Sequence, residues 1–245
     1  MPPVMRVCAL YPEVMNIYAD RGNLLLLQRR CAWRGIGFEL TAASFGAAVD
    51  PDAHDLFYIG GGQDRDQALC ARDLVDTKRD ALHAAAGRGA VVLAVCGGYQ
   101  LLGQGYALGS ERLPGVGLVD LDTVRGDGER LIGNIAIEVQ LEGMDRPEVL
   151  AGFENHGGRT TLGAGERPLG RVLRGHGNNG TDGHEGVQRG RVIGTYIHGP
   201  LLPKNTWLAD WLIAAATGRE RANLAPLNDA LEAGAHAAAR RAAGV

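Results

Sequence analysis

The chain has 245 residues, 45% of them hydrophobic and 22% charged, with a formal net charge of −3. That size and composition suit one buried α/β core, and the near-neutral charge excludes a global basic field for nucleic acid or anionic membrane. No apolar run approaches the roughly 20 residues of a membrane span. The N-terminus, Met-Pro-Pro-Val-Met-Arg, has no signal-peptide core, and Cys8, Cys31, Cys70 and Cys96 lie far apart without CxxC spacing. A cytoplasmic protein with no zinc or disulfide framework is therefore expected.

Residues 6–11 form a first strand, stopped by Pro12 and followed by a polar loop, 13–23. Residues 23–34 are helical, with Leu24, Leu27 and Cys31 on one face and Gly35 as the stop. Strands follow at 38–41 and 55–59, the second running into Gly60-Gly61-Gly62-Gln63-Asp64, and a long helix at 69–86 ends at Gly87. Val91 to Val95 is a continuous apolar run before Cys96-Gly97-Gly98, the signature of a buried, central parallel strand. Strands alternating with helices at this spacing predict βαβ crossovers and a mostly parallel sheet flanked by helices.

Beyond Gly109 the pattern changes. Residues 117–124 and 134–141 alternate apolar and polar, as half-buried antiparallel strands do, and 171–174 is a weaker candidate. A polar, glycine-rich loop spans 175–190. Residues 191–197 form a last strand ending in His198-Gly199-Pro200, and 205–216 is a helix with Trp207, Leu208 and Trp211 on one side. The alanine-rich stretch 225–243 is helical, packed on the body or on a partner. No repeat or linker divides the chain.

Cys96 stands where the central strand turns into a helix, the geometry of a nucleophile elbow with Cys in place of Ser. Gly97 and Gly98 free the backbone and leave amides bare at a helix N-terminus, which favours a thiolate and a developing oxyanion. The competing role for Cys96 is that of a small buried hydrophobe. The loops at 60–64, 96–100 and 197–200 all follow strands, so an open parallel sheet brings them together at its carboxyl edge. His198 is then the natural base for Cys96, against a purely structural histidine. Gly60-Gly61-Gly62 is either a tight connection or the second half of an oxyanion hole. There is no GxxxxGK[ST] run for ATP, and His176 and His184 fit no ligand spacing, so no metal is expected.

Cys96-Gly-Gly-Tyr-Gln100 with the late Tyr196-Ile-His198-Gly199 resembles the class I (triad-type) glutamine amidotransferases in their CobB/CobQ-like branch. Within it the chain is similar to the GatD-type glutaminase subunits of bacterial lipid II isoglutaminyl synthase. Further stretches carry the likeness: Tyr11-Pro-Glu, Tyr18-Ala-Asp-Arg-Gly-Asn23, Gly61-Gly-Gln-Asp64, Arg130-Leu-Ile-Gly-Asn134 and Gly152-Phe-Glu-Asn-His-Gly-Gly-Arg-Thr160. The resemblance runs over about residues 6–216. It implies a flavodoxin-like α/β domain over 1–220 with an antiparallel section in its second half, and a helical tail over 221–245.

The resemblance further implies that Cys96 attacks the side-chain amide of L-glutamine, that His198 handles the protons, and that the amides of Gly62 and Gly97 hold the oxyanion. Arg130 matches a substrate-holding position, suited to the glutamine α-carboxylate, and Gln100, Asn155 and His156 are substrate contacts unless the last two only shape a turn. The implied partner is a Mur-ligase-like subunit of the MurT type, in a heterodimer, which uses ATP and Mg²⁺ to amidate the D-glutamate α-carboxyl of lipid II; this chain needs no cofactor itself. One departure is Pro200, where many family members carry a Glu that orients the histidine. A Cys–His dyad, a carboxylate from Asp20 or Asp64, or one from the partner are the alternatives. The rival functions are an ammonia supplier for a cobyrinate-type acceptor, a Cys hydrolase or deglycase, and a scaffold with a degenerate site.

Overall fold

The structure, a computed structural model, describes residues 3–17 and 20–245. Tyr18 and Ala19, within the polar loop and one of the resembling stretches, lie outside the described residues. The first half runs β1 (Val4–Leu10), α1 (Arg21–Trp33), β2 (Gly37–Ala43), β3 (Leu56–Ile59), α2 (Asp64–Asp73), a π-helical turn (Leu74–Lys78), α3 (Arg79–Gly87), β4 (Val91–Val95) and α4 (Gly97–Leu101). Then come β5 (Gly105–Leu108), β6 (Glu111–Pro114), β7 (Leu121–Arg125), β8 (Leu131–Val139), β9 (Glu148–His156), β10 (Gly158–Leu162), β11 (Gly170–Arg174), β12 (His184–Glu185), β13 (Val187–Arg189) and β14 (Val192–Thr195). The chain ends with α5 (Leu201–Lys204), α6 (Thr206–Ala216) and α7 (Ala230–Ala243).

The main sheet has the order β13-β14-β4-β3-β1-β2. It is parallel except for β13, which pairs antiparallel with β14 at the edge. The apolar residues of β4 are buried on both faces because helices cover both sides of the sheet. The second half adds two four-stranded sheets, β10-β7-β5-β6 and β12-β11-β8-β9, antiparallel apart from the β5–β7 pair. This is the α/β architecture with an antiparallel section that the sequence pattern implies.

The differences are local. The long helix begins at Asp64, not Leu69: Asp66 Oδ2 accepts the Gln63 amide at 3.2 Å, and two acidic residues in the first turn suit the helix dipole. The 175–190 loop contains two short strands, and the 152–160 stretch runs through β9 and β10, which belong to different sheets, so Asn155 and His156 lie in a strand paired with Ile132 and Leu131. The C-terminal helix starts at Ala230 and packs on the body. His236 Nδ1 bonds the Lys204 carbonyl at 2.8 Å, Asn134 Nδ2 donates to Ala242 O at 3.2 Å, and the buried Arg30 grips both Asp210 and Asp229. No helix among the described residues is long and apolar enough to cross a membrane.

Candidate active site at the carboxyl edge of the sheet

Cys96 leaves β4 with φ 51° and ψ −107°, a conformation that side chains rarely adopt. Its amide donates to Thr195 O at 2.8 Å and its carbonyl accepts from Gln100 N at 3.2 Å, so the elbow is pinned on both sides. Gly98 is a steric necessity: a β-carbon there would stand 2.7 Å from Ile59 O and 2.8 Å from Gly60 O. That closeness lets Gly98 N donate to Gly60 O at 3.1 Å and ties the elbow to the loop after β3.

The loop after β3 carries Gly62, whose amide is expected as the second oxyanion donor. Ile17 N donates to Gly61 O at 3.2 Å, and Asp20 Oδ2 accepts the Gly61 amide at 3.1 Å. In a planar trans peptide the carbonyl and the following N–H point in opposite directions, so fixing Gly61 O turns the Gly62 N–H away from residue 17. Gly62 N lies 3.0 Å from the position a β-carbon on Gly97 would take, and the Gly97 amide acts to lower the pKa of the Cys96 thiol. Gly62 N thus stands beside Gly97, the residue that follows Cys96.

His198 follows β14, the parallel neighbour of β4, with Thr195 in register with Val95. Its backbone bonds Phe153 of β9 in both directions, at 2.9 and 3.3 Å, and its ring meets Phe153 edge-on at 5.9 Å. Burial holds the imidazole down to about 4, helped by the charges of His156, Lys204 and Arg130. Burial likewise pushes the Cys96 thiol up to about 12, with Asp20 adding to it and the Gly97 amide and Arg130 opposing. The bare amides are expected to favour a thiolate; here desolvation of the buried thiol outweighs them. Thiol and imidazole both rest neutral.

A cavity of about 460 Å³ opens over this edge, its wall formed by Gly62, Cys96, Gln100, Arg130, Asn155 and His156 among others. Six of the eight residues singled out from the sequence therefore share one wall, and Gly97 and His198 are not part of it. Arg130 donates through Nε to Asn155 Oδ1 and through Nη2 to Asn155 O, both at 2.8 Å, which makes Asn155 the residue that orients the guanidinium. His156 stacks on Tyr196 with centroids 3.6 Å apart and bonds Gly158 O at 2.9 Å. Gln100 donates to Tyr196 Oη at 3.1 Å. Arg125 and Gln67 also line the cavity and escaped the sequence reading. Arg125 pairs with Asp64, which also accepts from Tyr106 at 3.3 Å, so Asp64 is engaged at the cavity rather than at His198. Asp20 holds the loop after β3 through the Gly61 amide.

Comparison with known proteins gives the family. A model of the CobB/CobQ-like glutamine amidotransferase domain matches residues 6–206. The chain is 38% identical over 216 residues to the Streptococcus pneumoniae lipid II isoglutaminyl synthase (glutamine-hydrolyzing) subunit GatD, covering 88% of this chain and 81% of that one. It is 40% identical over 210 residues to the Staphylococcus aureus subunit of the same name, covering 85% and 82%. A cobyric acid synthase of Pelotomaculum thermopropionicum is 39% identical over 130 residues, which is 49% of this chain and 25% of that protein. Among solved structures, a chain of PurLQS from Thermotoga maritima shares the fold, with a TM-score of 0.59 at 20% identity over 91% of this chain and 99% of that one. The chain belongs to the CobB/CobQ-like glutamine amidotransferase family.

Proposed function

We propose that this chain is the glutamine-hydrolysing subunit of a lipid II isoglutaminyl synthase. The observation that carries the reading is the 38–40% identity to two such subunits over more than four-fifths of both chains, in a chain with a cysteine elbow after its central strand. The cobyric acid synthases match over only about half of this chain and a quarter of their own length, which does not favour a cobyrinate-type acceptor.

In this reading glutamine enters the cavity with its α-carboxylate on Arg130 and its side-chain carbonyl toward the amides of Gly62 and Gly97. His198, neutral at rest, takes the thiol proton as Cys96 sulfur bonds the carboxamide carbon. The tetrahedral intermediate collapses as the C–N bond breaks, and His198 returns the proton to the departing nitrogen. Ammonia and a γ-glutamyl thioester result. Water, deprotonated by His198, then cleaves the thioester to glutamate and free Cys96.

Ammonia needs an acceptor, which we assign to a Mur-ligase-like subunit of the MurT type in a heterodimer at the cytoplasmic side of the membrane. That subunit uses ATP and Mg²⁺ to amidate the D-glutamate α-carboxyl of lipid II to D-isoglutamine. Pro200 stands where a histidine-orienting Glu is common in the family, and Asp20 and Asp64 hold other groups, so the synthetase subunit supplies the missing carboxylate. The test is transfer of label from amide-¹⁵N glutamine into lipid II by the co-purified pair, read by mass spectrometry. Labelled D-isoglutamine supports the reading; glutaminase activity with no label in lipid II assigns the ammonia to another acceptor.

A further inference from the structure

Gln67 lies on α2, facing the cavity, and is 3% exposed. Its side-chain amide is oriented without ambiguity: Nε2 donates to Gly62 O at 3.2 Å, and a flipped amide would set two oxygens against each other. Oε1 is thereby left as a buried acceptor with no partner among the described residues. The amide presses on the elbow, since a β-carbon on Gly97 would sit 2.8 Å from Gln67 Nε2 and 3.0 Å from its Cδ, beside Gly62 N. A buried acceptor is costly to leave unmade, and a substrate that fills the cavity displaces any solvent serving it. The group completing the site must therefore be a donor, located at the oxyanion amides.

Glutamine has two nitrogen donors. The exposed Arg130, which also lines the cavity, suits the α-carboxylate, and the α-ammonium stays with that carboxylate. The donor bonded directly to the carbon under attack is the carboxamide nitrogen, and it alone accompanies the carbonyl oxygen to the amides of Gly62 and Gly97. We infer that Gln67 Oε1 accepts a hydrogen bond from the side-chain –NH₂ of bound glutamine, so that Gln67 selects a primary carboxamide over an ester or a carboxylate. The inference rests on the glutaminase reading above. It also explains why two groups on one side chain are used: Nε2 steadies the oxyanion loop while Oε1 reads the leaving group.

The experiment compares kcat/KM for L-glutamine with that for L-glutamate γ-methyl ester, which has no N–H on the leaving group, using the complex co-purified with its synthetase subunit. Gln67→Met keeps the length and removes both polar atoms. It lowers the glutamine-to-ester ratio by about tenfold or more, as expected when a buried acceptor no longer distinguishes a donor. Gln67→Glu keeps an acceptor at Oε1 but loses the Gly62 tether, so both rates fall while the ratio stays within about threefold of wild type. Either variant is decisive if only one folds. Equal losses on both substrates in Gln67→Met, or a collapsed ratio in Gln67→Glu, overturn the assignment and leave Gln67 as a prop for the loop. Wild-type complex that hydrolyses neither substrate would instead refute the glutaminase reading itself.

Discussion

The amide of Cys96 donates to the carbonyl of Thr195 at 2.8 Å, so two strands remote in sequence end at one level and deliver Cys96 and His198 to the same edge. The site is thus assembled by sheet register rather than by any one loop. Consequences follow for the elbow, the amides of Gly62 and Gly97, Arg130 and the protonation of Cys96 and His198.

Cys96 holds a positive φ that costs about 1–3 kcal/mol for a residue with a β-carbon. Cys96→Gly and Cys96→Ala both abolish glutamine hydrolysis, but the glycine variant is the more stable of the two, by about 1 kcal/mol or a few °C in Tm. Thermal unfolding of the two proteins side by side checks this. An alanine variant as stable as the glycine one would mean that the elbow stores no strain.

Gly97→Ala places a methyl against Gln67 Nε2 and Gly62 N, both within 3.0 Å of its ideal position. The neighbouring amide must move, so kcat falls about 10²-fold, with KM changed much less. Steady-state kinetics distinguish this from a binding defect. A variant with wild-type kcat would remove Gly62 from the oxyanion hole.

Arg130 presents a guanidinium whose plane is set by two bonds to Asn155. Lysine cannot reproduce that fork, so Arg130→Lys raises KM for glutamine by about tenfold or more while kcat moves less. Asn155→Ala shifts KM in the same direction by a smaller factor. Unchanged KM in Arg130→Lys would release Arg130 from substrate binding.

The neutral thiol and neutral imidazole set a pH signature. With Cys96 pushed up to about 12, alkylation of Cys96 in the unliganded chain by iodoacetamide accelerates about tenfold per pH unit between 7 and 10. With His198 held near 4, its basic form persists down to about pH 5, and kcat/KM falls only as pH drops toward that value. Peptide mapping isolates Cys96 from the other three thiols, which are also buried. An alkylation rate already at plateau by pH 7 would indicate a preformed thiolate–imidazolium pair.

Much of this was legible in the residues. Val91 to Cys96 is an unbroken apolar run before two glycines, and β4 occupies exactly those apolar positions because a strand buried on both faces tolerates nothing else. The strands leading to Gly60 and His198 declared themselves in the same way. The strands β9 and β10 did not, because Glu154 and His156 are polar residues buried by tertiary partners: Glu154 accepts the amides of His176 and Gly177. Glu185 is hidden likewise in a glycine-rich loop, where burial pushes its carboxyl up to about 8. Gln67 was invisible since one glutamine on a helix resembles any solvated side chain, and only the approach of Gly62 and Gly97 gives it meaning. The state of Cys96 depended on a balance between amide donors and desolvation that no local pattern reports.

The measurement that bears most directly on the central claim is glutamate release from L-glutamine by the purified chain, wild type and Cys96→Ala, alone and with a co-expressed Mur-ligase-like subunit. Release that requires Cys96 and rises with the partner is the expected result. A folded complex whose wild type releases no glutamate, or whose Cys96→Ala variant releases as much as wild type, would contradict it.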